Sequence, residues 1–143
     1  MPALAAKQAP SFSLPSISGT VNLQKLQGQV VYVDFWASWC SPCRKSFPWM
    51  NNIANKYKDM GLTVIAINLD KERELAMEFL NDIPHGFTIA FDPEGEIASQ
   101  YKVNAMPSSY LIDRNGHIQY THFGFRDDKK SEIETNIKSL LKQ

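Results

Sequence analysis

The segment Val33-Asp34-Phe35-Trp36-Ala37-Ser38-Trp39-Cys40-Ser41-Pro42-Cys43 decides the fold of this chain, because a buried strand turns into a helix within it. Residues 29–36 (QVVYVDFW) are β-branched and aromatic, which is typical of a strand buried on both faces. Beyond Pro42 the apolar residues follow a helical period. They recur after Cys43 at steps of four, three, four and three residues, at Phe47, Met50, Ala54 and Tyr57. The two cysteines therefore lie where the strand gives way to the helix.

The composition limits the classes of protein to which the chain can belong. It has 143 residues, with 15 Lys plus Arg, 15 Asp plus Glu and a formal net charge of zero. This length fits one domain, and the balanced charge does not favour nucleic acid or an anionic membrane surface as a partner. No apolar run approaches the roughly 18 to 20 residues of a membrane span. The 43% hydrophobic and 11% aromatic content can fill a core, which excludes intrinsic disorder.

Strand and helix patterns alternate along the rest of the chain. We predict two short strands around Ser18-Gly19, before the central strand and its helix. After that helix we predict a buried strand over 62–69 and a second helix, which is capped by Asp70 and ends near Leu80. The remaining predicted elements are a strand over 88–91, a short helix over 96–101, strands over 108–112 and 117–123, and a helix over 129–141. Asn115-Gly116 indicates a hairpin turn between the last two strands. Together these elements predict a mixed sheet covered on both faces.

The N-terminus bears on domain boundaries and compartment. Residues 1–10 (MPALAAKQAP) lack the basic start and the apolar stretch of about 7 to 15 residues that an intact signal peptide has. The small-residue tract Ala3-Leu4-Ala5-Ala6 fits the remnant of a removed export signal and fits the terminus of a cytosolic protein equally well. We favour a periplasmic or otherwise exported protein. We expect residues 1–9 to form a flexible N-terminus and residues 10–143 to form a single domain.

The placement of the cysteine pair favours redox chemistry. Cys40 falls at or just before the helix N-terminus, where unpaired N–H groups and the helix dipole stabilise a thiolate and lower the thiol pKa below about 8.5. Pro42 suits the first helical turn, because its missing N–H costs nothing there. Cys43 lies three residues after Cys40 and on the same helix face, so the two sulfurs can bridge without a large backbone movement.

Two other interpretations of the pair are a structural disulfide and half of a zinc site. A bridge that encloses two residues removes little entropy from the unfolded chain, so it stabilises the fold weakly. Zinc requires four ligands, and the chain has no other cysteine. A redox-active pair beside a strand–helix–strand pattern is therefore the preferred interpretation.

The quoted segment closely resembles the active-site strand and helix start of thioredoxins. The likeness continues, in the order and spacing of that family, through Tyr101-Lys102-Val103, the stretch 106–112, Asn115-Gly116 and Gly124. The opening residues 9–15 (APSFSLP) and the extra segment 81–100 resemble the TlpA-like branch, which is related to the alkyl hydroperoxide reductase and thiol-specific antioxidant (AhpC/TSA) group. The resemblance implies an α/β thioredoxin fold, in which a central mixed sheet is flanked by helices on both faces, with an N-terminal β extension and an inserted αβ segment.

Asp34 is the third predicted catalytic residue. It lies in an otherwise apolar strand, where an ionised carboxylate is costly, so we expect burial to raise its pKa. The alternative is an Asp on a solvated sheet edge. The resemblance implies the first interpretation, in which Asp34 is an acid–base group behind the cysteines that takes the proton from Cys43.

The resemblance also implies a substrate-binding surface. In thioredoxins the peptide bond that matches Met106-Pro107 is cis and faces the cysteine pair, and the Met106 backbone would pair with an extended substrate. Trp39 would add a flat contact surface beside Cys40, and Pro42 completes the predicted substrate contacts. Trp36 is assigned to the core, and the three histidines are assigned to the surface or to loops.

Two departures from the family limit what can be transferred. Many thioredoxins carry a Lys on the second strand near the buried Asp, and the matching residue here is Ala66. Members that serve cytochrome c maturation often carry Glu three residues after the second cysteine, where this chain has Ser46.

We therefore expect a thiol–disulfide oxidoreductase, most readily a reductant, that needs no metal or organic cofactor. Its expected partners are disulfide-containing protein substrates and an upstream electron-donor thiol protein, and we expect a monomer that binds no nucleic acid and has no membrane span. Two rivals are a peroxidase of the peroxiredoxin group and a metallochaperone. Peroxiredoxins carry Thr or Ser three residues before the peroxidatic cysteine, and Ala37 and Cys40 occupy the two matching positions here.

Overall fold

A mixed β-sheet forms the centre of the protein in the computed structural model, which describes residues 7–143. The described strands are β1 (Lys7–Gln8), β2 (Ser13–Ser16), β3 (Gly19–Asn22), β4 (Val30–Trp36), β5 (Leu62–Asn68), β6 (Thr88–Phe91), β7 (Ser108–Ile112) and β8 (His117–Phe123). The described α-helices are α1 (Ser41–Tyr57), α2 (Arg73–Asp82), α3 (Glu96–Gln100) and α4 (Lys130–Leu141). The strands lie in the order β1-β8-β7-β4-β5-β6-β2-β3.

The sheet combines parallel and antiparallel pairs. β4, β5 and β6 are parallel neighbours and are connected through α1 and α2, while β7 runs antiparallel to β4 and β8 runs antiparallel to β7. The β2–β3 hairpin is the predicted N-terminal extension and adds to the sheet edge beside β6. β6 and α3 form the predicted inserted segment. The predicted mixed α/β fold is confirmed.

Alternation along β4 divides the core into two layers. Val30, Tyr32 and Trp36 pack beneath α1, α2 and α4, in a cluster that also contains both cysteines. The residues between them, Val31, Val33 and Phe35, face α3 and the N-terminal segment. This alternation places Asp34 on the same face of the sheet as α1, and therefore on the side of the cysteines.

The N-terminal boundary lies earlier than the sequence predicts. Lys7 and Gln8, which we expected in the flexible terminus, form β1 and pair with β8. Ala9 is buried, and its N–H donates to the carbonyl of Gly116 at 2.9 Å. Strand pairing, the Ala9 backbone bond and the burial of the small Ala9 side chain together hold these residues on the sheet edge. Residues 1–6 of the expected flexible N-terminus lie outside the described residues.

None of the helices within residues 7–143 is both long and apolar enough to pass through a lipid bilayer.

Candidate active site

The two cysteines form a bridge at the N-terminus of α1. Cys40 is the N-cap residue, and its sulfur accepts a hydrogen bond from the N–H of Cys43 at 3.3 Å. The Cα atoms of Cys40 and Cys43 are 5.3 Å apart, within the usual range for a disulfide, and Pro42 occupies the first turn. Cys40 is 5% exposed and Cys43 is 0% exposed. The outer sulfur thus sits where a backbone donor and the helix dipole stabilise a thiolate.

A buried carboxylate holds the loop that carries Cys40. Asp70 accepts hydrogen bonds from the Ser38 N–H at 2.9 Å and from the Ser38 hydroxyl at 2.8 Å. The side-chain amide of Asn68 donates a third bond to Asp70 at 2.8 Å. This network fixes the residue two positions before Cys40. The sequence did not indicate it, because Ser38 and Asp70 are 32 residues apart.

The predicted capping role of Asp70 is wrong. α2 begins at Arg73, and the residue in the N-cap position is Glu72. The side chain of Asp70 accepts its hydrogen bonds from Ser38 and Asn68, and among the described residues it bonds no group in the first turn of α2. An Asp just before a helical pattern commonly indicates an N-cap, but Asp70 instead bonds the loop that follows the neighbouring strand β4.

Asp34 is buried in the strand behind the cysteines. It is 2% exposed, and its Oδ2 atom has no hydrogen-bond partner among the described residues. Burial raises the pKa of Asp34 well above its ordinary value of 3.8, because no positive charge compensates for the loss of water. The alternative of a solvated sheet edge is therefore wrong, since β4 is flanked by β5 and β7.

The neighbours of Asp34 across the sheet are small. Asp34 pairs with Ala66 of β5 on one side and with Ser109 of β7 on the other. Ala66 is the residue that stands where many thioredoxins have Lys, and its methyl group offers no charge. Tyr32, two residues before Asp34, has a raised pKa because it is buried and lies near this carboxyl group. Burial in these surroundings favours the protonated form of Asp34 and makes its ionised carboxylate a stronger base.

The residues predicted to bind substrate adjoin the cysteines in sequence or belong to the segment that packs against their core cluster. The Met106–Pro107 peptide bond is cis, which is the geometry implied by the resemblance. Met106 packs against the core cluster that contains both cysteines, and it precedes β7, so its backbone lies outside the ladder of the sheet. Trp39, directly before Cys40, is 72% exposed, and Pro42 is exposed as well. Trp36, in contrast, is fully buried, in agreement with its assignment to the core.

Ser46 occupies the position of the glutamate found in some relatives. Its hydroxyl donates to the carbonyl of Cys43 at 2.9 Å within α1 and is buried. It therefore satisfies the helix and offers no acid to the bridge. Within residues 7–143, no group of three or more His, Cys, Asp or Glu side chains is arranged to hold a metal ion.

His122 departs from its predicted surface or loop position, and His117 likewise lies half-buried in β8. His122 is half-buried in β8, and its Nδ1 atom has no hydrogen-bond partner among the described residues. Burial lowers the pKa of His122, an effect opposed by the charge of Glu132 and reinforced by that of Lys129. The imidazole is consequently neutral near neutral pH and can accept a proton.

Comparison with known proteins places the chain among redox proteins. The family model described as Redoxin matches residues 4–137. The chain is 33% identical over 135 residues to the thiol-disulfide oxidoreductase ResA of Bacillus thuringiensis (strain Al Hakam), covering 94% of this chain and 77% of that relative.

Solved structures extend the similarity to the fold. One from Chlorobium tepidum, assigned as a thiol:disulfide interchange protein DsbE, superposes with a TM-score of 0.93 at 50% identity, over 95% of this chain and 96% of the other. The exposed lipoprotein thioredoxin Etrx1 of Streptococcus pneumoniae superposes with a TM-score of 0.79 at 28% identity, over 92% and 100% of the two chains.

Proposed function

This chain belongs to the Redoxin family and is a thiol–disulfide oxidoreductase, and we propose that it acts as a reductant of protein disulfides through Cys40, Cys43 and Asp34. The observation that carries the proposal is the Cys40–Cys43 bridge at the N-terminus of α1, with the carboxyl group of Asp34 buried in the strand behind it. No metal or organic cofactor takes part in the proposed reaction, because two sulfurs can exchange the electron pair between themselves and the substrate.

The first step belongs to Cys40. Its thiolate attacks one sulfur of a substrate disulfide, a mixed disulfide forms, and the second substrate sulfur leaves as a thiolate. The position of Cys40 as N-cap supports this role, because the N–H of Cys43 already donates to its sulfur. Cys40 is also the more exposed of the pair, although the margin of 5% to 0% is small in the bridged form.

The second step needs a proton acceptor. Cys43 is fully buried, so its thiol must lose a proton before its sulfur can attack Cys40 and release the second substrate thiolate. Asp34 lies on the sheet face that packs against α1, the helix that carries Cys43, and its Oδ2 atom has no hydrogen-bond partner among the described residues. We assign the acceptance of this proton to Asp34, whose raised pKa brings it closer to that of a thiol and makes the transfer less costly.

Substrate binding is assigned to the surface around the bridge. The backbone of Met106, outside the sheet ladder and next to the cysteine cluster, is free to pair with an extended substrate segment as an added strand. Pro107 sets the shape of this loop, and the exposed rings of Trp39 and Pro42 supply apolar contact beside Cys40. The expected substrates are therefore proteins whose disulfides lie in accessible, extended segments.

A variant that arrests the reaction tests the proposal. Cys43→Ser should trap the substrate on Cys40 as a stable mixed disulfide, whereas Cys40→Ser should trap nothing and should abolish reduction of a protein disulfide such as that of insulin. The wild-type protein should show no peroxide turnover, because Ala37 and Cys40 occupy the positions where peroxiredoxins need Thr or Ser. Trapping on Cys43, or efficient peroxide turnover, would contradict the proposal.

The direction of electron flow is tested by the reduction potential of the Cys40–Cys43 couple. Reductants of this fold have potentials near −270 mV and strong oxidants near −120 mV, both approximate values for other proteins. We expect this couple to lie closer to the first value. A potential near the second would make the chain an oxidant and would leave the oxidoreductase assignment intact.

We further propose an exported location, a monomeric state and an upstream thiol protein as electron donor. The similarity to an exposed lipoprotein thioredoxin supports the location. Fractionation of the native host with an antibody against the chain tests it, and sedimentation of the purified protein tests the monomer. We keep the prediction of a single domain over residues 10–143, and residues 7–9 join that domain through their bonds to the sheet.

A further inference from the structure

Three polar residues form a row across the sheet. Asp34 of β4 pairs with Ser109 of β7, and Ser109 pairs with His122 of β8. Residues that pair directly across a sheet project to the same face, with Cβ atoms about 4.5–5.5 Å apart. The row therefore runs from the carboxyl group behind the cysteines to a histidine two strands away, with a single hydroxyl group between them.

A bulge in β8 brings His122 to this face. Ile118 pairs with Ile112 and packs in the layer that faces α3, whereas Tyr120 pairs with Leu111 and packs in the layer beneath α1 and α4. Gln119 is the extra residue between them, so the alternation of the strand reverses at this point. Without the reversal, His122 would follow Ile118 onto the opposite face.

Both ends of the row carry a buried polar atom that lacks a partner. Oδ2 of Asp34 and Nδ1 of His122 are two of only three such side-chain atoms found among residues 7–143. Buried polar groups are normally satisfied, so two unsatisfied atoms at the ends of one row call for a function. In the bridged form the Ser109 hydroxyl interacts with Tyr32 and bonds neither of these two atoms. Rotation about its Cα–Cβ bond would let it accept from Asp34 and donate to His122 at the same time.

His122 connects the row to solvent. Its ring lines a surface cavity of about 410 Å³ that is also bordered by Arg126, Lys129 and Glu132. Glu132 and Lys129 are the charged groups that act on the imidazole from the helical side, with opposite effects on its pKa. At the other end, Tyr32 and, in the reduced protein, both cysteines are titratable groups on the sheet face of Asp34.

We propose that Ser109 and His122 carry the proton of Asp34 to solvent while Cys43 displaces the substrate from Cys40. His122 touches neither sulfur and acts on the bridge only through Asp34. This inference rests on the proposed function of Asp34. The proton that Asp34 takes from Cys43 passes to the Ser109 oxygen, while the Ser109 hydroxyl proton passes to one ring nitrogen of His122. The other ring nitrogen releases a proton to water in the cavity. One proton enters and one leaves, and the electron pair moves only between sulfurs.

The reaction of the reduced protein with 5,5′-dithiobis(2-nitrobenzoate) separates the two chemical steps. Attack by Cys40 releases the first coloured thiolate, and attack by Cys43 on the resulting mixed disulfide releases the second. We expect His122→Gln and Ser109→Ala to slow the second release about tenfold near pH 7, a modest share of the 10²–10⁴ that acid–base groups contribute. The first release should keep its wild-type rate.

The pH profile and chemical rescue distinguish a relay from a structural role. The second release should accelerate with pH in the variants and approach the wild-type rate above about pH 9, where the Cys43 thiol ionises without help. Free imidazole should restore the rate of His122→Ala, because the open cavity admits it. His117→Gln is the matched control, since His117 lies on the same strand near Asp113 and away from the row, and it should behave as the wild type.

The outcomes separate this inference from the proposed function. If Asp34→Asn slows the second release and both His122→Gln and Ser109→Ala leave it unchanged, the relay is wrong and the role of Asp34 stands. If Asp34→Asn also leaves it unchanged, the role of Asp34 fails, and the relay fails with it. Equal slowing of both releases, without imidazole rescue, would identify structural damage and would overturn the relay as well.

Discussion

Removal of the Asp70 carboxylate should destabilise the protein more than any ordinary surface change. Asp70→Ala deletes three hydrogen bonds of 2.8–2.9 Å and leaves the N–H of Ser38 and the amide of Asn68 without their acceptor. Hydrogen bonds to a charged acceptor contribute about 1.5–3 kcal/mol each, and the cost of burying the carboxylate offsets several kcal/mol of that sum. We expect a net loss of about 3 kcal/mol in the free energy of unfolding.

This loss is measurable by denaturant and thermal unfolding of the oxidised protein. At about 2–4 °C per kcal/mol for a chain near this size, Tm should fall by about 9 °C. Asp70→Asn should cost less, because one amide oxygen still accepts bonds while the amide nitrogen cannot. Asp59→Ala is the matched control, since Asp59 is exposed and makes no side-chain hydrogen bond or ion pair with any residue from 7 to 143.

The loop should also become less ordered around Cys40. Ser38 is two residues before the N-cap cysteine, so freeing it should slow the first release from 5,5′-dithiobis(2-nitrobenzoate) in Asp70→Ala. If the free energies of unfolding of Asp70→Ala and Asp59→Ala differed by less than about 1 kcal/mol, the three hydrogen bonds of Asp70 would not stabilise the fold as argued. An unchanged first release would refute its role in holding the nucleophile.

Three further predictions concern the bridge and its surroundings. Brief alkylation of the reduced protein should label Cys40 before Cys43, which is fully buried, and preferential labelling of Cys43 would reverse their roles. Asp34→Asn should stabilise the protein more at about pH 8 than at pH 4. In the unfolded wild-type chain Asp34 releases its proton near pH 3.8, whereas in the folded protein its raised pKa retains the proton to higher pH. Wild-type stability therefore falls as the pH rises towards the folded pKa, and the Asn variant avoids this loss. An equal effect at both pH values would contradict this. Trp39→Ala should raise KM for a protein disulfide several-fold and leave Tm unchanged, because Trp39 is 72% exposed; an unchanged KM would exclude it as a contact.

Local sequence patterns were sufficient to predict the elements that build the site. The change from a continuous β-branched and aromatic run to a helical period after Pro42 located the junction of β4 and α1, and Cys40 is the N-cap residue. The strands over 88–91, 108–112 and 117–123 have the predicted bounds. These features depend on neighbours within a few residues, where propensity, capping and turn chemistry operate.

Features that depend on distant partners escaped prediction from local patterns. Asp70 has the local appearance of a helix cap, and only the alignment of β4 beside β5 reveals that Ser38 competes for its oxygens. The burial of Ala9 is a second case, since its partner Gly116 lies in the hairpin near the other end of the chain. In both cases the sheet, formed from segments far apart in sequence, determines which polar groups meet.

The bulge at Gln119 shows how one residue can change the chemistry of a strand. Strict alternation from Ile118 would place Tyr120 and His122 on the face towards α3, among apolar side chains. With the extra residue, Tyr120 packs beneath α4 and His122 aligns with Ser109 and Asp34. A histidine that the sequence assigns to the surface thereby shares a face with the acid behind the bridge. Because bulges re-aim side chains next to active sites, the register of β8 matters to the acid–base chemistry of the cysteines as well as to the packing of the sheet.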